Sequence, residues 1–334
     1  MSDSRHMRHA LSLARRGLGN TWPNPAVGCV LIREGRVVGR GWTQHGGRPH
    51  AEVMALAQAG TAARGATAFV TLEPCAHHGK TPPCAEALVR AGVTRVVSAL
   101  TDPDPRVSGR GHAILRAAGI AVTEGVCAAE ARAVQRGFLT RVTLGRPMLT
   151  LKLASSFDGR IATASGESQW ITGPEARRHV HALRLMHDAV MVGGGTARAD
   201  HPSLNVRDFG PVRQPVRIVV SARALPDLPA EDRDHGPLWQ VSGAPKDILA
   251  ELGARGLTRV FCEGGGVLAA SLLRAGLVDQ LVGYTAGVVL GGDGRAGFAD
   301  LGLTHLADAT RFRLVETRRL GPDILHCWRR GEVG

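Results

Sequence analysis

Lysine, asparagine and tyrosine are nearly absent from this 334-residue chain, which has three lysines, three asparagines and one tyrosine. The 38 arginines are spread along the chain without a dense run, so the net charge of +12 indicates an arginine-rich solvated surface. This distribution argues against a nucleic-acid-binding protein, because such proteins concentrate their basic residues where phosphates lie. Because arginine has replaced lysine almost everywhere, each remaining lysine is a candidate for a position that needs a compact ammonium group. Lys80 and Lys152 lie inside motifs described below, whereas Lys246 has no assigned role.

Cysteines and long apolar runs are also scarce. Six cysteines are too few for a disulfide scaffold in a chain of this size, which favours a reducing compartment. No apolar run approaches the length of a membrane-spanning helix, and no apolar signal core precedes the first amphipathic segment, so we expect an unexported, cytoplasmic protein with no membrane partner. A chain of this length with 44% hydrophobic residues can bury two cores, and we expect two domains.

Predicted strands and helices alternate along the chain, which indicates α/β architecture in both halves. Gly145-Arg146-Pro147 precedes a new strand, so we place the boundary there, with domains at 1–145 and 146–334. The predicted helices are 7–16, 51–59, 84–91, 112–118, 128–137 and 267–275. The predicted strands are 27–32, 37–41, 68–72, 95–100, 121–124, 148–154, 189–192, 216–220, 238–241, 259–262 and 280–285.

The most informative motif of the first half combines His50, Glu52, Cys75 and Cys84. A catalytic zinc ion takes three protein ligands and keeps one position for water, and one imidazole with two thiolates satisfies that number. Glu52 is not needed as a ligand and is therefore free to move protons. This combination is the signature of zinc-dependent nucleobase deaminases.

The alternative for these residues is a closed structural zinc site or a pair of unrelated buried thiols. A structural site needs a fourth ligand, for which His77 and His78 are the candidates. Against both alternatives, Pro74 and the Pro82-Pro83 pair constrain the backbone beside each thiol, and the run after His50 predicts a helix that begins at the ligand. We favour the catalytic site.

Two glycine triplets, 193–195 and 264–266, each follow a predicted apolar strand in the second half. Glycines let backbone amides approach a phosphate, and a helix N-terminus such as that at Val267 adds a favourable dipole. Neither triplet has the spacing of a dinucleotide-binding fingerprint, so each alone is a weak signal that a tight turn would explain equally well.

Eight residues separate Cys75 from Cys84, and this wide gap resembles the deaminase half of the bifunctional riboflavin-biosynthesis deaminase/reductases. Other segments resemble the same family in order as well as in content. Its substrate strand is matched by 23–30, and its reductase half by 151–160, 168–172 and 192–200.

The resemblance implies a cytidine-deaminase-like α/β/α sandwich followed by a dihydrofolate-reductase-like α/β domain. It implies one Zn²⁺ per chain, bound by His50, Cys75 and Cys84, with Glu52 catalytic, and NADPH in the second domain. The implied substrate is 2,5-diamino-6-(5-phosphoribosylamino)pyrimidin-4(3H)-one, whose deaminated product is then reduced at the ribose to the ribityl form. The partners are thus small phosphorylated pyrimidines, and we expect a homo-oligomer.

The resemblance also assigns roles to individual residues. Lys152 would be catalytic in reduction, with Asp200 as the second candidate for polarising or protonating the sugar. The implied cofactor contacts are Ala154, Trp170, Thr172, Thr196, Asp200, Gly265, Gly266, Val267, Leu268, Ala269, Ala270 and Ser271. The implied substrate contacts are Asn24, His77, Lys80, Ser168, Arg184, Leu204, Arg207 and Glu263.

Several of these residue types suit their implied roles. Arg184 and Arg207 could clamp a phosphate, and Trp170 could stack on a flat ring. The alternatives are ordinary structural roles, with Trp170 in the core, Arg184 on a solvated helix face and Asp200 in a turn. The chain departs from the family at Thr43, where many members have histidine, and at 221–222, where Ser-Ala replaces the usual Asp-Ser.

Two other functions predict different sequence features. An RNA-editing adenosine deaminase with an appended binding module predicts basic or aromatic clusters and a short cysteine spacing, and neither occurs. A non-catalytic protein stabilised by zinc would need neither Glu52 nor the reductase-type motifs.

Overall fold

The computed structural model describes residues 2–77, 82–105 and 107–331. The chain divides into two compact units, Met1–Gly145 and Arg146–Gly334, here called the N-terminal and C-terminal units. Both have the α/β architecture expected from the sequence. Within the described residues, no helix combines the length and the apolar character needed to cross a bilayer.

The N-terminal unit is a mixed sheet covered by helices. Its strands are β1 (Gly28–Arg33), β2 (Arg36–Trp42), β3 (Thr67–Val70), β4 (Arg95–Ser98) and β5 (Ala121–Thr123). Its α-helices are α1 (Asp3–Ala14), α2 (Ala51–Ala59), α3 (Cys84–Arg90), α4 (Arg110–Ala117) and α5 (Ala128–Leu144). In the described residues the strand order is β2-β1-β3-β4-β5, with β3, β4 and β5 parallel and β1 antiparallel to both of its neighbours.

Helix α2 lies close against strand β2 because two glycines of that strand have no side chain. A Cβ atom at Gly39 would lie 2.2 Å from the carbonyl oxygen of Ala55, and one at Gly41 would lie 2.2 Å from that of Ala51. Such contacts are impossible for any other residue, so the two glycines set the distance between helix and sheet. The close packing of α2 on β2 positions His50 and Glu52, which lie at the start of α2.

The C-terminal unit is built on a larger, mostly parallel sheet. Its strands are β6 (Met148–Ser156), β7 (Arg160–Ala162), β8 (Ala189–Gly193), β9 (Val216–Val220), β10 (Leu238–Val241), β11 (Arg259–Cys262), β12 (Gln280–Ala286), β13 (Arg295–Ala296), β14 (Phe312–Leu320) and β15 (Asp323–Arg330). Its α-helices are α6 (Pro174–Leu185), α7 (Gly194–Asp200), α8 (Pro245–Ala254) and α9 (Gly266–Arg274).

Among the described residues, the main sheet of this unit has the order β10-β9-β8-β11-β6-β12-β15-β14. The first six strands are parallel, and β15 and β14 continue the sheet antiparallel. The carboxyl ends of parallel strands meet at one edge, where open α/β sheets bind ligands. The ends of β8 and β11 therefore bring the two glycine triplets and Glu263 together, and Lys152 on β6 lies beside them because Leu151 pairs with Cys262, the last residue of β11.

The structure adds elements that the sequence pattern did not predict. Helices α6, α7 and α8 and strands β7, β13, β14 and β15 were not expected, and α5 runs to Leu144, beyond its predicted end at Gly137. Strand β14 is exposed at seven of its nine positions, so it has no apolar alternation from which a strand could be read.

Candidate active sites

Three metal-ligating side chains meet in the N-terminal unit. The His50 Nδ1 atom lies 3.3 Å from the Cys84 Sγ atom and 3.6 Å from the Cys75 Sγ atom, and the three ligand atoms all lie within 4.8 Å of one another. Tetrahedral zinc, with Zn–N near 2.1 Å and Zn–S near 2.3 Å, separates a nitrogen from a sulfur ligand by about 3.6 Å. The observed spacing therefore fits zinc.

Local backbone geometry places these ligands. His50 is the N-cap residue of α2, in extended conformation, as the sequence predicted. Cys84 is the first residue of α3, and its backbone N–H donates to the Cys75 Sγ atom at 3.3 Å. The hydrogen bond between the two thiols, helped by that from His50, lowers the pKa of Cys75 to about 4 despite its burial, which favours the thiolate that zinc requires.

Glu52 lies beside this cluster without belonging to it. Its side chain is buried, with the residue 3% exposed, and burial raises the pKa of its carboxyl to about 7. A group that titrates near neutral pH can both accept and return a proton. In the described part of the chain the ligand cluster contains three residues and excludes His77, while His78 lies outside the described residues. A four-ligand structural site thus gains no support.

The predicted substrate contacts of this unit are only partly placed. The Asn24 side-chain amide donates to the Gly47 carbonyl at 3.3 Å, three residues before His50. The His77 Nδ1 atom is buried and has no hydrogen-bond partner among the described residues, which exclude the four that follow it. Lys80 lies outside the described residues. Thr43, the departure from the family pattern, is buried, and its hydroxyl accepts a hydrogen bond from the Val27 N–H at 3.0 Å.

Two acidic residues near the cluster were missed by the sequence reading. Asp102, after β4, is 7% exposed, and burial raises the pKa of its carboxyl to about 6. Glu73, two residues before Cys75, is 4% exposed. Because β3 and β4 are parallel neighbours, the residues that follow them had to meet at one edge. The sequence signal that could have identified Asp102 is the Asp102-Pro103-Asp104-Pro105 turn after β4.

The C-terminal unit contains a buried cluster of charges formed by Lys152, Arg184 and Glu263. The Arg184 guanidinium donates to both Glu263 oxygens, at 2.5 Å from Nε and 3.0 Å from Nη2, and to the Asn205 carbonyl. The Lys152 Nζ atom lies 3.9 Å from the same carboxylate. Their side chains are between 11% and 17% exposed, so Arg184 is not on a solvated helix face. A phosphate would have to compete with Glu263 for this arginine, which leaves Arg207, exposed in the structure, as the freer phosphate contact.

The two glycine triplets lie side by side at the ends of β8 and β11. The Gly193 N–H donates to the Gly264 carbonyl at 3.2 Å. A Cβ atom at Gly265 would lie 2.7 Å from the Thr196 hydroxyl. The structure therefore brings together the predicted cofactor contacts Thr196 and Gly265. The last two glycines of the first triplet begin the short helix α7, so this triplet is neither the tight turn that was the alternative nor an extended loop.

Trp170 and Thr172 line a different place, an open cavity of about 420 Å³ beside the end of β12 and the β14–β15 turn. Trp170 is 64% exposed, with the Arg177 guanidinium 4.7 Å from the ring centroid, so it is not a core residue. Leu268 and Ser271 line a separate cavity of about 70 Å³ between α8 and α9. No residue of the 264–271 segment lines the Trp170 cavity in the described structure.

Burial limits what other predicted contacts can offer. Leu204, Ala269 and Ala270 are each at most 3% exposed, backbone included, and pack in the core, so they offer almost no surface to a ligand in this structure. The apolar spacing of α9 turns Ala269 and Ala270 inward, whereas Val267 is 75% exposed. The remaining predicted contacts are exposed or half-buried: Ala154, Ser168 and Asp200.

A residue missed at this site is His181 on α6, whose Nδ1 atom accepts a hydrogen bond from the Arg207 N–H at 3.3 Å. Ser221, at the other departure from the family, bonds locally to the Arg223 backbone. Its hydroxyl is therefore engaged in a turn.

We expect Glu263→Gln to reduce stability in a pH-dependent way. Burial opposes ionisation of Glu263, but Arg184 and Lys152 outweigh it and lower the pKa from 4.5 to about 2. The charged form thus contributes about 3 kcal/mol to the unfolding free energy. This contribution is complete above pH 4.5 and is lost as the pH falls toward 2.

Urea unfolding at pH values from 6 down to 3 measures the effect. The difference in unfolding free energy between wild type and Glu263→Gln should be constant above about pH 5. It should become smaller as the pH falls below the ordinary glutamate pKa. Glu251→Gln, which removes an exposed carboxylate paired with Arg255, is the control and should show no such narrowing. A difference in unfolding free energy between wild type and Glu263→Gln that does not change with pH would contradict this expectation.

Comparison with known proteins agrees with this two-site arrangement. Residues 1–100 match the cytidine and deoxycytidylate deaminase zinc-binding region, and residues 147–326 match the RibD C-terminal domain. The chain is 43% identical to riboflavin biosynthesis protein RibD of Escherichia coli, covering 97% of this chain and 98% of that protein. It is 40% identical to the Aquifex aeolicus RibD, covering 98% of each.

Solved structures show the same relationship. The structure of Acinetobacter baumannii RibD matches with a TM-score of 0.89 and 40% identity over 99% of each chain. A Thermotoga maritima diaminohydroxyphosphoribosylaminopyrimidine deaminase/5-amino-6-(5-phosphoribosylamino)uracil reductase matches with a TM-score of 0.88 and 33% identity over 98% of this chain and 99% of that one. The predicted resemblance and fold class are confirmed. The chain therefore belongs to the RibD family of bifunctional riboflavin-biosynthesis enzymes, which join a zinc-dependent deaminase to a reductase.

Proposed function

We propose that residues 1–145 deaminate 2,5-diamino-6-(5-phosphoribosylamino)pyrimidin-4(3H)-one and that residues 146–334 reduce the ribosyl group of the product. The observation that carries this proposal is the three-ligand cluster with a buried, non-ligating glutamate beside it. A three-ligand site leaves one coordination position for water, as catalytic zinc requires.

In the deaminase site, His50, Cys75 and Cys84 would hold zinc, which supplies Lewis-acid activation of water near neutral pH. Glu52 would take a proton from the attacking water, whose oxygen bonds to the amine-bearing carbon, and would pass that proton to the leaving amine, so that the C–N bond breaks and ammonia departs. Burial raises the pKa of the Glu52 carboxyl to about 7, which suits a group that must accept and then donate a proton in one turnover. Asn24, His77 and Lys80 orient the substrate.

In the reductase site, bound NADPH would supply the hydride needed to reduce C1′ of the opened ribose. The Lys152 ammonium, held against Glu263, polarises or protonates the sugar, and Asp200 is the second candidate for that step. Backbone amides at the start of α9 and the Thr196 hydroxyl suit the cofactor phosphates. Arg207 suits the substrate phosphate, and the exposed Trp170 ring suits a flat group.

We also propose a cytoplasmic homo-oligomer that acts on small molecules and not on nucleic acid. The arginines are dispersed along the chain, which supports the last point. Purified full-length protein given the deaminase substrate should release ammonia with or without NADPH, and it should oxidise NADPH only after deamination. Ammonia release that fails in metal-replete protein would overturn the deaminase assignment.

Replacing Cys84 with serine should strip zinc from the protein, because a hydroxyl is a poor zinc ligand compared with a thiolate. Zinc content per chain, measured after dialysis, should fall well below that of wild type. The matched control is Cys127→Ser, a half-buried cysteine outside the cluster, which should keep its zinc. Full zinc occupancy in Cys84→Ser would remove Cys84 from the ligand set.

A further inference from the structure

Glu73 makes contacts that the deaminase mechanism does not use. Its Oε2 atom accepts hydrogen bonds from the Asp102 and Gly109 N–H groups, at 3.1 and 2.9 Å. Its Oε1 atom accepts from the Gly111 and His112 N–H groups, at 2.9 and 3.3 Å. The side chain is fully buried. One carboxylate thus gathers four backbone donors from the loop after β4 and the first turn of α4.

The chain beside Glu73 is held by a second, independent contact. Gly111 on α4 packs against the Pro74 carbonyl so closely that a Cβ atom there would lie 1.9 Å from the oxygen. Pro74 itself has a fixed φ. The two residues before Cys75 are therefore immobilised against the 102–112 segment by hydrogen bonds and by packing.

Within the described residues, the hydrogen bonds of Cys75 itself lead to the other two predicted ligands and to α3. Its carbonyl accepts from the Ala85 N–H at 3.2 Å, and its Sγ atom accepts from the Cys84 N–H at 3.3 Å. Both of these contacts come from α3, which carries another ligand. His50 also contacts the Cys75 Sγ atom, at 3.6 Å, whereas Glu73 and Pro74 fasten the chain immediately before Cys75 to residues that follow β4 and begin α4.

We propose that Glu73 is a positioning residue of the zinc site, which orients Cys75 by fastening its loop to the 102–112 segment. Groups that orient metal ligands from outside the coordination sphere typically contribute 10- to 100-fold in metal affinity. This inference rests on the proposed zinc ligand set.

Glu73→Gln tests the proposal with almost no change in volume. The glutamine amide nitrogen is a donor, so two of the four backbone donors would face an NH₂ group in place of an oxygen. We expect zinc affinity of the full-length protein, measured by competition with a chromophoric chelator, to fall on the order of 10- to 100-fold. In the cobalt-substituted protein, the thiolate-to-metal absorption should shift, because the geometry at Cys75 changes. A merely structural role would leave the cobalt spectrum of the folded protein unchanged.

A second variant perturbs the same loop and leaves Glu73 intact. Gly111→Ala adds a methyl group against the Pro74 carbonyl, while alanine itself favours the helix. Zinc affinity should fall in this variant, as in Glu73→Gln. Glu124→Gln is the matched control, because Glu124 also approaches the His112 Nδ1 atom, at 3.2 Å, but accepts none of the four backbone hydrogen bonds that Glu73 accepts, and it should not affect zinc.

The outcomes separate this proposal from the zinc assignment. Cys84→Ser losing zinc while a folded Glu73→Gln keeps wild-type affinity and cobalt spectrum would overturn the role of Glu73 alone. If Glu73→Gln does not fold, Gly111→Ala decides, and wild-type affinity in that variant would equally overturn it. Zinc retained in Cys84→Ser would instead refute the ligand set.

Discussion

Replacing Glu52 with glutamine is expected to abolish ammonia release while the protein keeps its zinc. Positioned proton transfer contributes roughly 10²- to 10⁴-fold to a rate, and glutamine cannot accept the proton. His50, Cys75 and Cys84 are unchanged in this variant, and Glu52 is not a member of their cluster. Ammonia release and zinc content are measured on the same preparation. The rate of ammonia release should fall by roughly 10²- to 10⁴-fold, whereas the zinc content should equal that of wild type.

Glu86→Gln is the matched control. Glu86 stands two residues after the ligand Cys84 on α3, as Glu52 stands two residues after His50 on α2, but its side chain is 35% exposed and paired with Arg90. The control should deaminate normally. Reduction of pre-deaminated substrate should survive in both variants. Ammonia release by Glu52→Gln at a rate near wild type would show that another group moves the proton.

Lys152→Arg is expected to lower NADPH oxidation by roughly 10²-fold, since misplacement of a reacting atom by about 1 Å has that effect. The reason lies in the charge cluster. Arg184 already donates to both oxygens of Glu263, and Lys152 approaches the same carboxylate at 3.9 Å as a compact third charge. A second, planar guanidinium would need room and an acceptor that this arrangement does not provide.

Lys246→Arg is the control, because Lys246 is exposed near the start of α8 and lies in no predicted site. Steady-state NADPH oxidation with saturating pre-deaminated substrate compares the three proteins, and ammonia release should be unchanged in all. Wild-type oxidation by Lys152→Arg, with matched NADPH affinity, would mean that the survival of this lysine among arginines is chance.

The regular core of both units was readable from the sequence. Val216–Val220, Leu238–Val241 and Arg259–Cys262 are strands with the predicted bounds, because buried parallel strands are short apolar runs between turns. The start of α2 was also predicted, since His50 precedes an uninterrupted helix-forming run. Local signals of this kind depend on neighbouring residues only.

Elements stabilised by distant partners were missed. Strand β14 (Phe312–Leu320) carries charged residues along its length and forms a hairpin with β15, which joins the sheet by pairing with the distant strand β12. Helix α6 (Pro174–Leu185) is rich in arginine and histidine, and its buried side is only Ala176, Val180 and His181. Such sparse apolar positions do not distinguish a helix from a loop before the sheet that covers them is known.

The sequence by itself determined the family and the α/β architecture, and it predicted the ligand set His50, Cys75 and Cys84 and the role of Glu52, because each depends on residue type and spacing along the chain. Only the tertiary structure decided that Arg184 is bound by Glu263, that Leu204 and Ala269 face the core, and that Glu73 fastens the loop of Cys75. These outcomes join segments that are 38 to 79 residues apart or depend on which side of an element is covered. Burial and long-range pairing are properties of the packed chain, and no local pattern encodes them.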